Sequence, residues 1–155
     1  MRRSIQNALR LLRGRRGNVM IEFAIGSGVL LAAFTGTFQF GYTFLQYNNL
    51  ENAVARGARY ASLVPYDSAN SSPSTAFKTK VRNMVLYGST TAGTTPVLPG
   101  LVDTDVNVTV TFANGIPSVM TVSISGYTIN SIFASTALTS KPQVAYAYQG
   151  VWAPI

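Results

Sequence analysis

Cysteine and histidine are both absent from the 155 residues. Their absence removes disulfides, thiolate nucleophiles, imidazole general bases and the usual zinc sites in one step. Acidic residues are scarce: Glu22, Glu51, Asp67, Asp103 and Asp105 are all there are. No paired-carboxylate arrangement, nucleophile elbow or phosphate-binding loop is visible among the residues that remain. The chain reads as a non-enzyme that needs no cofactor. Asp103-Thr-Asp105 is the one acidic pair near a loop, and two carboxylates make a poor calcium site. A solvated turn before a strand is the plainer reading.

Charge is missing altogether from another stretch. Between Phe23 and Leu45 there is no Asp, Glu, Lys or Arg, and Gln39 is the one strongly polar side chain. A helix over these positions spans roughly 34 Å, enough to cross a hydrocarbon core of about 30 Å with some tilt. A cleaved secretory signal competes with this reading, but its apolar region usually runs only about 7 to 15 residues. A buried helix of a soluble protein competes too, although the run is long for one and a basic block precedes it.

What the chain has in excess is arginine near its start. Most of the formal charge of +7 comes from Arg2, Arg3, Arg10, Arg13, Arg15 and Arg16, since the rest of the chain carries six basic against five acidic residues and nets only +1. The high pI therefore belongs to the first 17 residues. Such a block beside a membrane span holds the N-terminus in the cytoplasm and sends the chain from Asn48 onward across the membrane. Helix-turn-helix and zinc-ligand patterns are absent, so no nucleic-acid partner is expected.

Beyond the apolar run Leu50, Ala53, Val54, Gly57, Ala58 and Ala61 continue one helical face, with Glu51, Asn52, Arg56 and Arg59 largely off it. The pattern predicts a single helix from about Met20 to Ser62, roughly 60 Å long, ended by Pro65 and the loop to Pro73. Ala53, Gly57, Ala58 and Ala61 are small enough for close packing against a neighbouring subunit or the protein's own sheet. Gly26, Gly28, Gly36 and Gly41 within the span fit either lipid-compatible packing or close helix contacts.

In the remainder, Thr75 to Tyr87 reads as a short helix with Phe77, Val81, Met84 and Val85 on one face and Ser74 or Thr75 as its cap. Gly88 to Gly100 reads as an irregular loop. Strand alternation runs through Val106, Val108, Val110 and Phe112, breaks at Asn114-Gly-Ile-Pro117, and resumes from Val119 to Tyr127, giving a hairpin with a loop of several residues. Val144 to Gln149 is a third strand, and Ile129 to Ala137 is a short helical turn or a loop. The expected fold class is α+β, a long N-terminal helix packed on a small antiparallel sheet. The expected divisions are a basic leader over 1–17, the long helix over 18–62 and a head over 63–155. About 95 residues after the helix suffice for a modest core without staples.

Gly17 followed by Asn18-Val-Met-Ile-Glu22-Phe23 resembles the prepilin cleavage signal of type IV pilin-like proteins. The stretch Asn49-Leu-Glu-Asn-Ala-Val-Ala-Arg56-Gly57-Ala58-Arg59-Tyr60-Ala61 is similar to a block of TadE-like proteins, pseudopilins or minor pilins of tight-adherence (Tad/Flp) pili. The resemblance covers about residues 13 to 62. It implies a type IV pilin-like fold, cutting between Gly17 and Asn18 by a prepilin peptidase, and insertion in the inner membrane with the head outside the cytoplasm. It further implies that Glu22, with Phe23 beside it, meets a neighbouring subunit's N-terminal amine and sets the register of assembly. Other pilin or pseudopilin subunits, the inner-membrane assembly platform and membrane lipid are the implied partners, and adhesion or secretion the implied context. Flp major pilins are very short and usually carry tyrosine after the glutamate; Phe23 and a sizeable head favour the minor class. A major subunit of a divergent filament, and an uncleaved single-span anchor for a binding module, are the alternatives.

Overall fold

The computed structural model describes residues 2–131 and 133–154, with side chains from residue 17 onward. Helix α1 runs over Arg2–Leu63 and α2 over Thr75–Tyr87. The strands are β1 (Val106–Ala113), β2 (Ile116–Ile124), β3 (Thr128–Asn130), β4 (Ser135–Ala137) and β5 (Gln143–Ala147). The architecture is α+β, a long N-terminal helix with a small antiparallel sheet. By internal contacts the chain divides into two units, one ending at Gly41 and the other beginning at Tyr42.

In the first unit no described side chain is buried; Phe23 and Phe40 are each 74% exposed. An apolar helix with its whole circumference uncovered belongs in lipid or among other helices. Two of its hydroxyls are turned inward on the backbone: Ser27 Oγ donates to the Ala24 carbonyl and Thr37 Oγ1 to that of Ala33, each at 3.0 Å. That arrangement satisfies them without water. Among the described residues, Gly17–Leu63 is the one helix segment long and apolar enough to cross a membrane. The arginines between residues 2 and 16 carry side chains that lie outside those described.

The second unit owns the core. From Leu50 the α1 stripe of Leu50, Ala53, Val54, Ala58 and Ala61 is fully buried. The helix stops at Leu63, two residues before Pro65. Helix α2 starts where Ser74 Oγ accepts the Phe77 amide at 3.0 Å, and ends at Gly88, whose φ of 69° supplies the left-handed cap that most side chains resist. It buries Phe77, Val81, Val85 and Leu86. The two helices meet at Gly57: a Cβ there would lie 2.3 Å from Val85 Cγ2 and 3.5 Å from the Val81 carbonyl oxygen. Only a residue without a side chain permits that approach.

The three-stranded sheet has the order β1-β2-β5, antiparallel throughout. Val106, Val108 and Val110 of β1 and Met120, Val122 and Ile124 of β2 turn into the core, while Asn107, Thr109 and Thr111 turn out. This alternation is the one expected. The hairpin is tighter than its sequence suggests. Asn114 and Gly115, with φ of 53° and 80°, close β1 to β2 in two residues, not in a loop of several. Pro117 lies inside β2 instead of breaking it. A register shift opposite Thr111 and Phe112 leaves Ser118 unpaired with β1, and its carbonyl accepts the Tyr148 amide at 2.8 Å. Such a bulge accommodates a residue with no N–H to give.

Residues 129–137 also depart from expectation. Residues 129–130 and 135–137 are strand, most of a second, two-stranded sheet of β3 and β4 with Ile129 paired to Thr136, in place of the expected helical turn or plain loop. The Leu138 amide donating to Tyr127 and the Ser131 amide to Ala134 extend the ladder at both ends. Three-residue strands are too short for alternation to show in sequence. Strand β5 ends at Ala147, two residues before the expected Gln149.

Candidate functional site

Gly17, Asn18, Glu22 and Phe23 all stand on α1, and all are exposed. Asn18 and Glu22 are four positions apart, hence stacked on one face, where with Ile21 and Ile25 they outline a shallow open groove. Among the described residues Glu22 has no ion-pair partner; the ion pair found there joins Arg82 to Asp103 at 4.0 Å. A carboxylate at the edge of an uncharged run is a costly group in a membrane unless a partner meets it.

The small-residue face lies in the other unit. Ala53, Ala58 and Ala61 are buried in the head's own core, and Gly57 lies against Val85 of α2. These four positions are covered within one chain. The exposed side of the same helix presents Glu51, Asn52, Arg56 and Arg59.

Asp103 and Asp105 sit in the short 3-10 turn Asp103–Asp105 before β1. Asp105 Oδ2 accepts the Val102 amide at 3.1 Å, and Asp103 is paired with Arg82, whose Nε also donates to the Val106 carbonyl at 3.1 Å. Both carboxylates serve the turn and its link to α2. No cluster of three or more acidic residues that could hold a metal exists among the described residues.

Sequence reading missed one arrangement. The chain after β5 returns to the end of α1, where the Gln149 amide donates to Ser62, the Tyr66 amide to Val151 and the Ala153 amide to Tyr66. Tyr148 centres it: its hydroxyl accepts the Tyr66 amide at 2.9 Å and lies 3.1 Å from the Val64 and 2.7 Å from the Val151 carbonyl oxygens, one of which takes its proton. Tyr66 is fully buried, its hydroxyl donates to Asn70 at 2.6 Å, and its ring meets Phe77, Phe112 and Tyr148 edge-on. Trp152 Nε1 donates to Ser68 at 3.0 Å and its ring packs on Phe112. Gly150 passes so close that a Cβ would lie 2.5 Å from the Val64 carbonyl oxygen. Burial raises the hydroxyl pKa of Tyr66 and of Tyr148. Burial, reinforced by Asp105, does the same for Tyr127. Nothing local in Tyr148-Gln-Gly-Val-Trp152 announces this, because its partners are some 80 residues away in the chain.

In comparison with known families, the model of the TadE-like protein family aligns with residues 17–59. The match begins at Gly17 and ends at Arg59, so it covers the apolar run and Ala53, Gly57 and Ala58 of the small-residue face. It agrees with the resemblance read from the residues. No curated protein and no solved structure matches the chain.

Proposed function

We propose that the protein is a TadE-like minor pilin, a prepilin cut after Gly17 and carried in the inner membrane as a subunit for a Tad/Flp-type pilus. The observation that carries the reading is the position of Glu22: an exposed carboxylate five residues past Gly17, without an ion-pair partner among the described residues, at the mouth of a helical stretch in which no described side chain is buried up to Gly41. The family match beginning at that same glycine supports it. Cleavage by a prepilin peptidase leaves Asn18 with a free amine. In an apolar assembly that amine and a neighbour's Glu22 neutralise each other, and a missed pairing is penalised by an unmatched buried charge.

The leader arginines favour a cytoplasmic N-terminus and an extracytoplasmic head. The head, with its own core, is a feature of a subunit that presents a domain, and the sequence offers no catalytic constellation on it. The roles assigned to Gly17, Asn18, Glu22 and Phe23 thus concern processing and assembly by the peptidase, fellow subunits, the assembly platform and lipid.

Glu22→Ala separates processing from assembly. The variant is expected to be inserted and cut normally, yet to be depleted from sheared pili, measured by fractionating membranes and pili and counting surface fibres. Normal incorporation at normal fibre number overturns the assembly role of Glu22.

A further inference from the structure

The second unit begins before the apolar run ends. Its first turn of α1, Tyr42 to Leu45, still belongs to that uncharged run, and Phe44 and Leu45 are more than half exposed. A hydrocarbon core of about 30 Å takes up about 20 residues of helix, and counted from Phe23 these end at Tyr42. Tyrosine is a residue type enriched at that depth, where a membrane meets water. On the reading of α1 as a span, whatever lies level with Tyr42 in the second unit lies at the lipid boundary.

The sheet brings one further element to that level. At the far end of α1, Tyr66 meets Phe112, which is paired with Pro117 near the start of β2. Strand β2 runs back from there to Ile124, and three residues on, Tyr127 comes within electrostatic reach of Tyr42: its raised pKa is due first to burial, then to Asp105 and to Tyr42. Strands β3 and β4 leave from Tyr127 as a hairpin only three residue pairs long. Its tip reads Ser131-Ile132-Phe133-Ala134, and Phe133 is 64% exposed. No charged side chain stands between Asp105 and Lys141 in the sequence. Lys141 is itself exposed, and it is held at the same end because the carbonyl of the next residue, Pro142, accepts the Ile124 amide at 3.1 Å. An uncharged tip bearing an aromatic ring, with a cation behind it, suits a lipid surface, where the ring enters the acyl boundary and the ammonium stays among the phosphates. The exposed Ile116 does not share this place, since it adjoins the β1–β2 turn at the Tyr66 end.

We propose that the β3–β4 hairpin is a second membrane contact of the head, with Phe133 entering the lipid surface beside the point where α1 leaves it and Lys141 turned to the lipid phosphates. Lipid is the occupant because the hairpin springs from the level at which the exposed apolar surface of the span ends. The contact bears on orientation. One span leaves the head free to tilt, whereas a second foothold to the side of the helix holds one end of the head down on the bilayer. The proposal rests on the reading of α1 as a span and adds the side chain through which the head touches the membrane.

The test places the full chain in vesicles of phosphatidylcholine and phosphatidylglycerol that carry a shallow nitroxide lipid, which quenches fluorophores near the headgroups. Because the chain has no cysteine, a single one can be introduced for labelling. A fluorophore on Ser135→Cys, exposed two residues past Phe133, is expected to be quenched several-fold more strongly than one on Ala69→Cys, exposed in the loop beyond the far end of α1. Adding Phe133→Asp to the Ser135→Cys chain is expected to abolish the quenching, and adding Phe133→Leu to keep it. Unfolding does not imitate that loss, since it turns core side chains toward lipid. Quenching at position 135 no stronger than at 69 overturns the contact, and is the result expected if a partner protein covers the tip instead. Quenching that survives Phe133→Asp, or is lost with Phe133→Leu, overturns it as well. A fluorophore on Phe34→Cys with a nitroxide deep in the acyl chains checks the span separately. If it is quenched while position 135 is not, the hairpin contact alone falls; if it is not quenched, the span reading falls and the hairpin contact with it.

Discussion

At the scale of single residues, Tyr148 and Gly17 show how different demands fall on single side chains. Tyr148 holds the returning C-terminal segment to the end of α1 through one hydroxyl, and Tyr148→Phe is expected to cost about 1 kcal/mol in head stability, measured by denaturant unfolding. The raised pKa values of Tyr66, Tyr127 and Tyr148 add a pH signature. A phenol whose pKa is higher folded than unfolded binds its proton more tightly in the fold. The stability it contributes is complete below its ordinary pKa of 10.0 and is lost as pH rises through the folded value. Alkaline titration followed by ultraviolet absorbance should show some of the eight tyrosines ionising late and together with unfolding. Ionisation of all eight near the ordinary value with the fold intact contradicts this. On the proposed reading Gly17 carries a demand of another kind, that of a peptidase site admitting a small residue at the cut. Gly17→Leu should accumulate in the membrane at full length, seen as a slower-migrating band, while unchanged processing counts against the cleavage assignment.

At the scale of elements, the crossing of α1 and α2 has the least tolerance. With a Cβ at position 57 falling 2.3 Å from Val85 Cγ2, Gly57→Leu must displace α2, and the expected penalty is about 1–3 kcal/mol by thermal unfolding of a soluble fragment beginning at Asn48. Unchanged unfolding temperature contradicts the packing described. The elements also differ in how far sequence exposes them. Helix α2 and its Ser74 cap were legible because cap, apolar face and terminating Gly88 all lie within a short window. The faces of β1 and β2 were legible from alternation. Their two-residue turn was not, because Pro117 looked like a strand breaker and the bulge at Ser118 that accommodates it depends on the carbonyl being taken up by Tyr148, far away in sequence. The β3–β4 hairpin was hidden by its shortness, and the tyrosine arrangement at the C-terminal end by distance along the chain. The small-residue face was visible as a stripe, but sequence left open whether sheet or subunit covered it; the structure puts α2 and the head's core there.

At the scale of the whole molecule, two units make opposite use of apolar surface. From Gly17 to Gly41 it faces outward and is exposed; from Tyr42 on much of it is gathered into one core, although Phe44, Leu45, Ile116, Phe133 and Val151 stay exposed. A chain so divided suits a subunit that is stored in lipid and then stacked through its helix while its head stays folded. The cut that converts stored precursor to stackable subunit is the centre of this account. Mass spectrometry of the protein purified from its native host tests it most directly. The account predicts a mature chain that begins at Asn18, lacking all six leader arginines. A chain that still carries residues 1–17 in assembled pili, or that persists uncut beside an active prepilin peptidase, contradicts it.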